Sequence, residues 1–393
     1  MRFSWRSRSQ DIRALARRLS RFEANLSIEA PGLGTLRSGA RPDATRVIFH
    51  TRDALNSLLR GDHLGLAEAF LEGRIDILGD LVEALKATRD LSLDASLFEQ
   101  ITLGLRQILA NRFRYEGDSI AFHYDRPAEF FLPWLGRWRC YSHGLYLSER
   151  DTLDSAMARK MQHAIEALGL RAGMHVLDMG SGWGCFVEYA GLQGISVHAI
   201  TLSEVQYQFV ERLIQQQKLP CTVELAHFRR WHPPAPLDGA VFMGSFEHNP
   251  EYEFAARFLA RNLRPGGRIW TDFCAQRTAF TPGRFMKKHL WPGPTSYVNP
   301  YHLIRAFVRA GFNVHELRDD TRSYACTVRD WGDAFETGRK ALAERFGEPA
   351  VRAFLLFLRG SLLFLRENLT QAYHLVAGRE AAALPARCVA EVR

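Results

Sequence analysis

The stretch VLDMGSGWG at residues 176–184 sets the tightest limit on what this chain can fold into. An apolar run ends in an acid, and three glycines follow at every second position. A strand that runs through Gly-x-Gly into a helix lets a ligand approach bare backbone, because a Cβ at Gly180 or Gly182 would obstruct it. The flanking pattern agrees. A helical stretch, Leu153 to Leu168, precedes a strand at His175 to Met179. After the turn come a helix, a strand at Ser196 to Thr201, a helix at Glu204 to Gln216 and a strand at Thr222 to Ala226. Gly239 to Gly244 reads as a fourth strand, Tyr252 to Leu263 as a helix, and Arg268 to Phe273 as a fifth strand. This alternation predicts an α/β fold with a mostly parallel, Rossmann-like sheet covered on both faces. Ligands of such sheets bind at the carboxyl ends of the strands.

Two cofactors compete for the turn. A dinucleotide wants G-x-G-x-x-G/A and an acid about 20 residues on for the ribose. Here the third glycine, Gly184, comes one place early, Cys185 holds the usual position, and the second strand ends Ala199-Ile-Thr-Leu-Ser203 with no acid before Glu204. Asp178 instead stands two places before the first glycine. That D-x-G-x-G-x-G order resembles motif I of the S-adenosylmethionine methyltransferases. A purely structural turn is the plainer alternative.

Four further stretches sharpen the resemblance. Phe122 to Asp125 reads FHYD, and Cys140 to His143 reads CYSH. ITLSEVQ follows the second strand, and GSFEH ends the fourth. In this order they resemble the cyclopropane-fatty-acyl-phospholipid synthase family, including the mycolic acid cyclopropane synthases. The likeness runs from about residue 45 to 377, through the run LGLAEAFLEG at 64–73. It implies a class I methyltransferase fold, S-adenosylmethionine as cofactor, and methyl transfer to the double bond of an unsaturated acyl chain. It also implies site residues. Tyr141 and Ser142 would close over the cofactor, with Asp178, Gly180 and Gly182 beside it. Thr201, Leu202 and Gln206 would hold its ribose and adenine side, and Phe228 would sit by the adenine. His227 and Arg229 flank Phe228 where relatives often carry an acid.

A carbocation formed on the chain needs negative or π-rich surroundings and no water. Glu247 supplies charge, and Tyr297, Tyr301, Tyr324, Trp291 and Phe285 are available aromatic faces, or plain core. In the family, bicarbonate takes a proton from the new methyl and the ring closes. Its holders there are a Cys, a Glu, a His and a Tyr. Glu247 and Tyr324 match that set, while His143 replaces the Cys and Asp272 the His. Asp272 would put a second carboxylate near Glu247, which argues against bicarbonate. Either His143 and Asp272 pair and act as the base, or no base reaches the new methyl and the cation loses a proton from the chain. The second outcome, a methyl-branched alkene, is the favoured expectation.

The rest of the chain bounds the setting. Residues 1–112 read as a small α+β domain that could face a membrane, and 113–393 as the methyltransferase domain with a helical C-terminal tail. Residues 1–21 carry seven arginines and one acid, with Ile12, Leu15, Ala16 and Leu19 at helical spacing. Such a helix either lies on anionic lipid or packs on its own domain. Six scattered cysteines read as free thiols with no metal site. The absence of a signal core or spanning run points to the cytoplasm, with lipid met at the inner membrane face. A net charge of +8 suits that anionic surface, and no nucleic-acid partner is expected. Oligomeric state stays open. A methyltransferase of a soluble small molecule and a non-catalytic lipid-binding relative are the competing functions.

Overall fold

The computed structural model describes residues 15–17, 19, 25–32, 34–92, 126–248, 251–276, 284–290 and 297–380. The chain divides into two compact units. One takes residues 1–115, 283–290 and 335–364, and the other 116–282, 291–334 and 365–393.

The first unit is built on four strands: β1 (Leu26–Ala30), β2 (Gly34–Ser38), β3 (Thr45–Phe49) and β4 (Ile75–Leu78), in the order β2-β1-β3-β4. β3 alternates buried and half-buried residues, as a strand with one covered face should. Between β3 and β4 lie α1 (Arg52–Arg60) and α2 (His63–Leu71). The sequence signals are visible at their ends. Thr51 caps α1 through the Ala54 N–H, Gly61 ends it in the left-handed conformation, and Asp62 accepts from the Gly65 N–H at the start of α2. Of the basic N-terminal stretch, Leu15 and Leu19 are buried and Arg17 is exposed. Its apolar stripe is therefore covered by protein; Ile12 lies outside the described residues.

The second unit carries a seven-stranded sheet in the order β10-β11-β9-β8-β5-β6-β7. Its strands are β5 (His175–Met179), β6 (Ser196–Thr201), β7 (Thr222–Leu225), β8 (Leu237–Met243), β9 (Leu263–Ala275), β10 (Asn313–Asp319) and β11 (Gln371–Gly378). β5 to β9 pair in parallel, and β11 enters antiparallel between β9 and β10. β5 and β8 are almost wholly buried, as central strands covered on both faces must be. The order reverses between β5 and β8, so a crevice for a ligand opens at their carboxyl ends. α3 (Leu153–Leu168), capped by Thr152 and stopped by Gly169, packs on this sheet.

The C-terminal tail differs from its helical expectation. Helices do run through Thr321–Thr337, Arg339–Phe346 and Glu348–Arg366, but Gln371–Gly378 is strand β11. A short apolar run reads equally as buried strand or buried helix. Here the open register between β9 and β10 decides, and β11 closes it.

Candidate active site

The glycine turn follows β5 at the switch point. Gly180 has φ 86° and Gly182 φ 51°, backbone that L side chains rarely adopt. A Cβ on Gly180 would meet Ser245 Cβ at 2.8 Å, whereas one on Gly182 would enter open space. The turn is held by the Gly180 and Ser181 N–H groups, which donate to the Ile200 carbonyl at the end of β6. Around it lie buried polar atoms with no hydrogen-bond partner among the described residues: Asp178 Oδ1, Ser181 Oγ and Ser245 Oγ. Burial pushes the Asp178 carboxyl up to about 7. A cradle open at Gly182 and rimmed by unused polar atoms fits a polar cofactor such as S-adenosylmethionine.

The other expected cofactor residues gather on neighbouring strand ends. Thr201 Oγ1 donates to Gln206 Oε1 at 3.0 Å, and Leu202 lies between them in the chain. Phe228 is buried after β7, with its ring 4.9 Å from that of His227. Tyr141 is set among Phe131, Trp134 and Trp331, with ring centroids 5.4–5.6 Å away. The Ser142 hydroxyl is engaged elsewhere, donating to Asp272 Oδ2 at 3.0 Å and accepting from Lys160 Nζ at 2.6 Å. Gly244, at φ 67°, lets Ser142 come this close to the end of β8.

Glu247 sits on the short turn after β8. Its Oε1 accepts from the Cys274 N–H at 2.7 Å, and its buried Oε2 has no partner among the described residues. Burial pushes this carboxyl up to about 7. The Tyr324 ring lies 5.2 Å from that of His143. Glu247, Cys274, Tyr324 and Tyr297 share one neighbourhood: burial raises the Cys274 thiol and both tyrosine hydroxyls, and the Glu247 charge adds to the shift in all three.

The His143–Asp272 hydrogen bond, the first of the two alternatives read from the sequence, is not there. His143 Nδ1 is 4.0 Å from Asp272 Oδ2, while its Nε2 lies 3.1 Å from Asp320 Oδ2. Asp272 is instead held by Lys160 Nζ at 3.1 Å, by the Ser142 hydroxyl, and by the Gly244 N–H at 2.6 Å. Lys160 is fully buried. Burial works against its charge, but Asp272 and Cys140 outweigh it and hold its pKa above the usual range. Lys160 offsets the Asp272 charge, and what remains of it adds to burial in raising the Glu247 carboxyl.

Three buried residues were missed by the sequence reading: Lys160, Asp320 and His374. Lys160 carried a signal, because it falls on the apolar face of α3 with Ala156, Met157, Met161 and Ala164. His374 sits inside the apolar run of β11, and Asp320 reads like an ordinary helix-start acid. Of the proposed aromatic faces, Tyr301 is 69% exposed and belongs to the surface. Phe285 falls in the first unit, and Trp291 and the FHYD stretch lie outside the described residues.

Comparison with known proteins identifies the family. The family described as mycolic acid cyclopropane synthetase matches residues 112–375. A probable fatty acid methyltransferase of Pseudomonas putida is 27% identical over 308 residues, covering 75% of this chain and 77% of its own. The cyclopropane-fatty-acyl-phospholipid synthase of Escherichia coli K12 is 25% identical over 356 residues, covering 87% and 89%. Among solved structures, mycolic acid cyclopropane synthase CmaA1 complexed with SAH and CTAB superposes with a TM-score of 0.62 at 22% identity, over 68% of this chain and 99% of its own. The fold is that of the class I methyltransferases, the cofactor is S-adenosylmethionine, and the chain belongs to the mycolic acid cyclopropane synthetase family of enzymes that modify lipid acyl chains.

Proposed function

We propose that this enzyme methylates the double bond of an unsaturated fatty acyl chain in phospholipid, and that its product is a methyl-branched alkene. The observation that carries the product reading is the state of His143 and Asp272. By resemblance these positions would help to hold bicarbonate. Yet His143 Nε2 is engaged by Asp320 and its Nδ1 is turned towards the Asp272 carboxylate, and Asp272 is an acceptor already taken up by Lys160, Ser142 and Gly244. Asp272 has no proton to donate to an anion, and its charge disfavours one beside His143.

When bound, S-adenosylmethionine supplies an electrophilic sulfonium methyl. Asp178, Gly180, Gly182, Thr201, Leu202, Gln206 and Phe228 are the residues that would hold it, with Tyr141 and Ser142 over the turn. Alkene attack leaves a cation on the neighbouring carbon. Glu247 Oε2 sets a negative charge against that cation, and Tyr297 and Tyr324 add π faces. Loss of a proton from a chain carbon returns its C–H electron pair as a new C=C bond. The aromatic walls around Tyr141 exclude water that would otherwise trap the cation. The basic N-terminal stretch supports a place at the cytoplasmic face of an anionic membrane. No helix among the described residues is long and apolar enough to cross one.

The test uses S-adenosylmethionine with a fully deuterated methyl and vesicles of unsaturated phospholipid. Mass spectrometry is expected to find three deuterium atoms in the modified chain. Two deuterium atoms mean that the new methyl lost the proton, as in ring closure, and would overturn the product reading. No label in lipid would overturn the substrate reading and favour a soluble acceptor or a silent lipid-binding relative.

A further inference from the structure

Two buried thiols meet beside the cofactor cradle. We propose that Cys140 and Cys185 form a redox pair, which hydrogen peroxide joins in a disulfide and a dithiol reopens, and that the bridge weakens the binding of S-adenosylmethionine by removing a negative charge. The switch acts on the cofactor and is independent of which lipid product forms.

Chain order brings the pair to the cradle. Cys185 opens the helix Cys185–Gly191, directly after Gly184 of the glycine turn. Cys140 precedes Tyr141 and Ser142, the residues expected over the cofactor. The Cys185 thiol donates to Cys140 Sγ at 3.2 Å. A disulfide holds its sulfurs about 2.0 Å apart, so these two need to approach by only about 1 Å. Lys160 Nζ donates to the same Cys140 sulfur at 3.1 Å. Two donors on one sulfur, one of them an ammonium, stabilise a thiolate. The Cys185 hydrogen bond and the Lys160 charge hold the Cys140 thiol below its usual range, against burial and the Asp272 charge. The same hydrogen bond and burial raise the Cys185 thiol, which keeps its proton. Cys140 is thus the nucleophile and Cys185 the thiol that resolves it.

The other described cysteines lack this setting. Cys221 Sγ faces the Val187 and Ile195 carbonyls at 3.7 Å, and burial pushes its thiol up to about 11. Burial likewise raises Cys274 and Cys326.

The reaction takes two steps. The Cys140 thiolate attacks one oxygen of hydrogen peroxide, the O–O bond breaks, and the hydroxide that leaves takes a proton from solvent. The Cys185 sulfur then attacks the Cys140 sulfenic acid. An S–S bond forms, the S–O bond breaks, and the oxygen leaves as water with the Cys185 proton. Two electrons pass from the sulfurs to peroxide, which ends as two waters. Both side chains are buried, so the oxidant must be as small as hydrogen peroxide.

The bridge changes the charge of the site. Lys160, Asp272 and the Cys140 thiolate together carry one net negative charge. Its field reaches the cradle, because burial raises the Asp178 carboxyl and the Cys140 charge adds to that. S-adenosylmethionine carries a positive sulfonium, whereas S-adenosylhomocysteine has a neutral thioether. A disulfide consumes the thiolate, and the sulfonium loses an attractive partner. With its carboxyl at about 7, Asp178 is already mostly ionised at pH 8 and cannot make up the loss there.

The test treats the full chain at pH 8 with hydrogen peroxide and then blocks remaining thiols with N-ethylmaleimide. Mass spectrometry of an unreduced digest is expected to find the Cys140 and Cys185 peptides joined, and dithiothreitol should part them. Calorimetry should show S-adenosylmethionine binding the bridged protein about tenfold more weakly, with S-adenosylhomocysteine changed by less than about twofold. Dithiothreitol should restore the first affinity. In Cys185→Ser the reaction should stop at the Cys140 sulfenic acid, which dimedone traps. Untouched thiols, a bridge between other cysteines, or a Cys140 sulfinic acid without a bridge would overturn the pair. A bridge that leaves S-adenosylmethionine affinity unchanged, or that weakens both ligands equally, would overturn the charge switch.

Discussion

Glu247 joins two properties that rarely meet in one carboxylate. One oxygen is anchored by the Cys274 N–H and the other is buried and unused among the described residues. Burial holds its carboxyl at about 7, so near neutrality it is about half ionised. The form that stabilises a cation is the carboxylate. Methyl transfer is therefore expected to rise with pH through about 7 and then level off. Glu247→Gln should lower kcat by about 100-fold and remove that limb of the pH–rate profile. A variant that kept the limb would assign it to another group. A second expectation concerns Lys160, which is buried against Asp272 at 3.1 Å. Asp272→Ala strands the ammonium and should cost about 3–5 kcal/mol of stability, measured by denaturant unfolding. Asp272→Leu combined with Lys160→Met should cost far less, because it removes both charges together. Equal losses for the single and double variants would mean that the pair matters only for packing.

At the scale of elements, one helix ties two parts of the site together. The helix Cys185–Gly191 begins at the glycine turn, and its Glu188 binds Arg137 at 2.8 Å, Arg139 in a close pair and Gln217 at 2.7 Å. Arg137 and Arg139 lead directly into Tyr141 and Ser142. Burial opposes the Glu188 charge, but the Arg137, Gln217 and Arg139 contacts hold its carboxyl down at about 2. Its folded value lies below the unfolded one. The stability it contributes is present above the unfolded value of about 4.5 and is lost as pH falls through about 2. Glu188→Ala leaves Arg139 nearly buried without its carboxylate. It should cost about 3 kcal/mol near neutral pH, flatten the acid limb of stability, and weaken cofactor binding read by calorimetry. Unchanged cofactor affinity would separate this clamp from the site.

This scale also explains what the sequence disclosed. α3, β5 and β6 were legible because period and caps agree: Thr152 and Gly169 bracket α3, and the glycine turn ends β5. β11 was not, because QAYHLVAG has the composition of any buried segment and its state depends on the neighbours β9 and β10. The site divides in the same way. Glu247, Asp178 and the glycines stand in motifs that are local in sequence. Lys160, Asp320 and His374 are joined to the site only through strand register and helix packing, which no local window contains. The His143–Asp272 pairing failed for that reason: partners for both residues, Asp320 and Lys160, were waiting elsewhere in the chain.

For the whole molecule, the open relation is between charge and lipid. The chain carries a net +8, and seven arginines fall in its first 21 residues. An amphipathic helix that inserts into a bilayer needs its apolar stripe free. Here Leu15 and Leu19 are buried and Arg17 is exposed. Attachment through this stretch must therefore rest on arginines meeting anionic headgroups, each worth about 1 kcal/mol near the surface. Such attraction is screened within about 8–10 Å at physiological ionic strength and within about 3 Å at 1 M salt. The protein is accordingly expected to float with vesicles rich in anionic phospholipid at low salt and to stay down with purely zwitterionic ones. Raising the salt towards 1 M should release it. Replacing Arg2, Arg6, Arg8, Arg13, Arg17, Arg18 and Arg21 by Gln should abolish flotation while the thermal unfolding midpoint moves little. Binding that survives high salt would place the contact on apolar surface elsewhere in the chain. Loss of folding in the Gln variant would mean that these arginines serve the first unit and not the membrane.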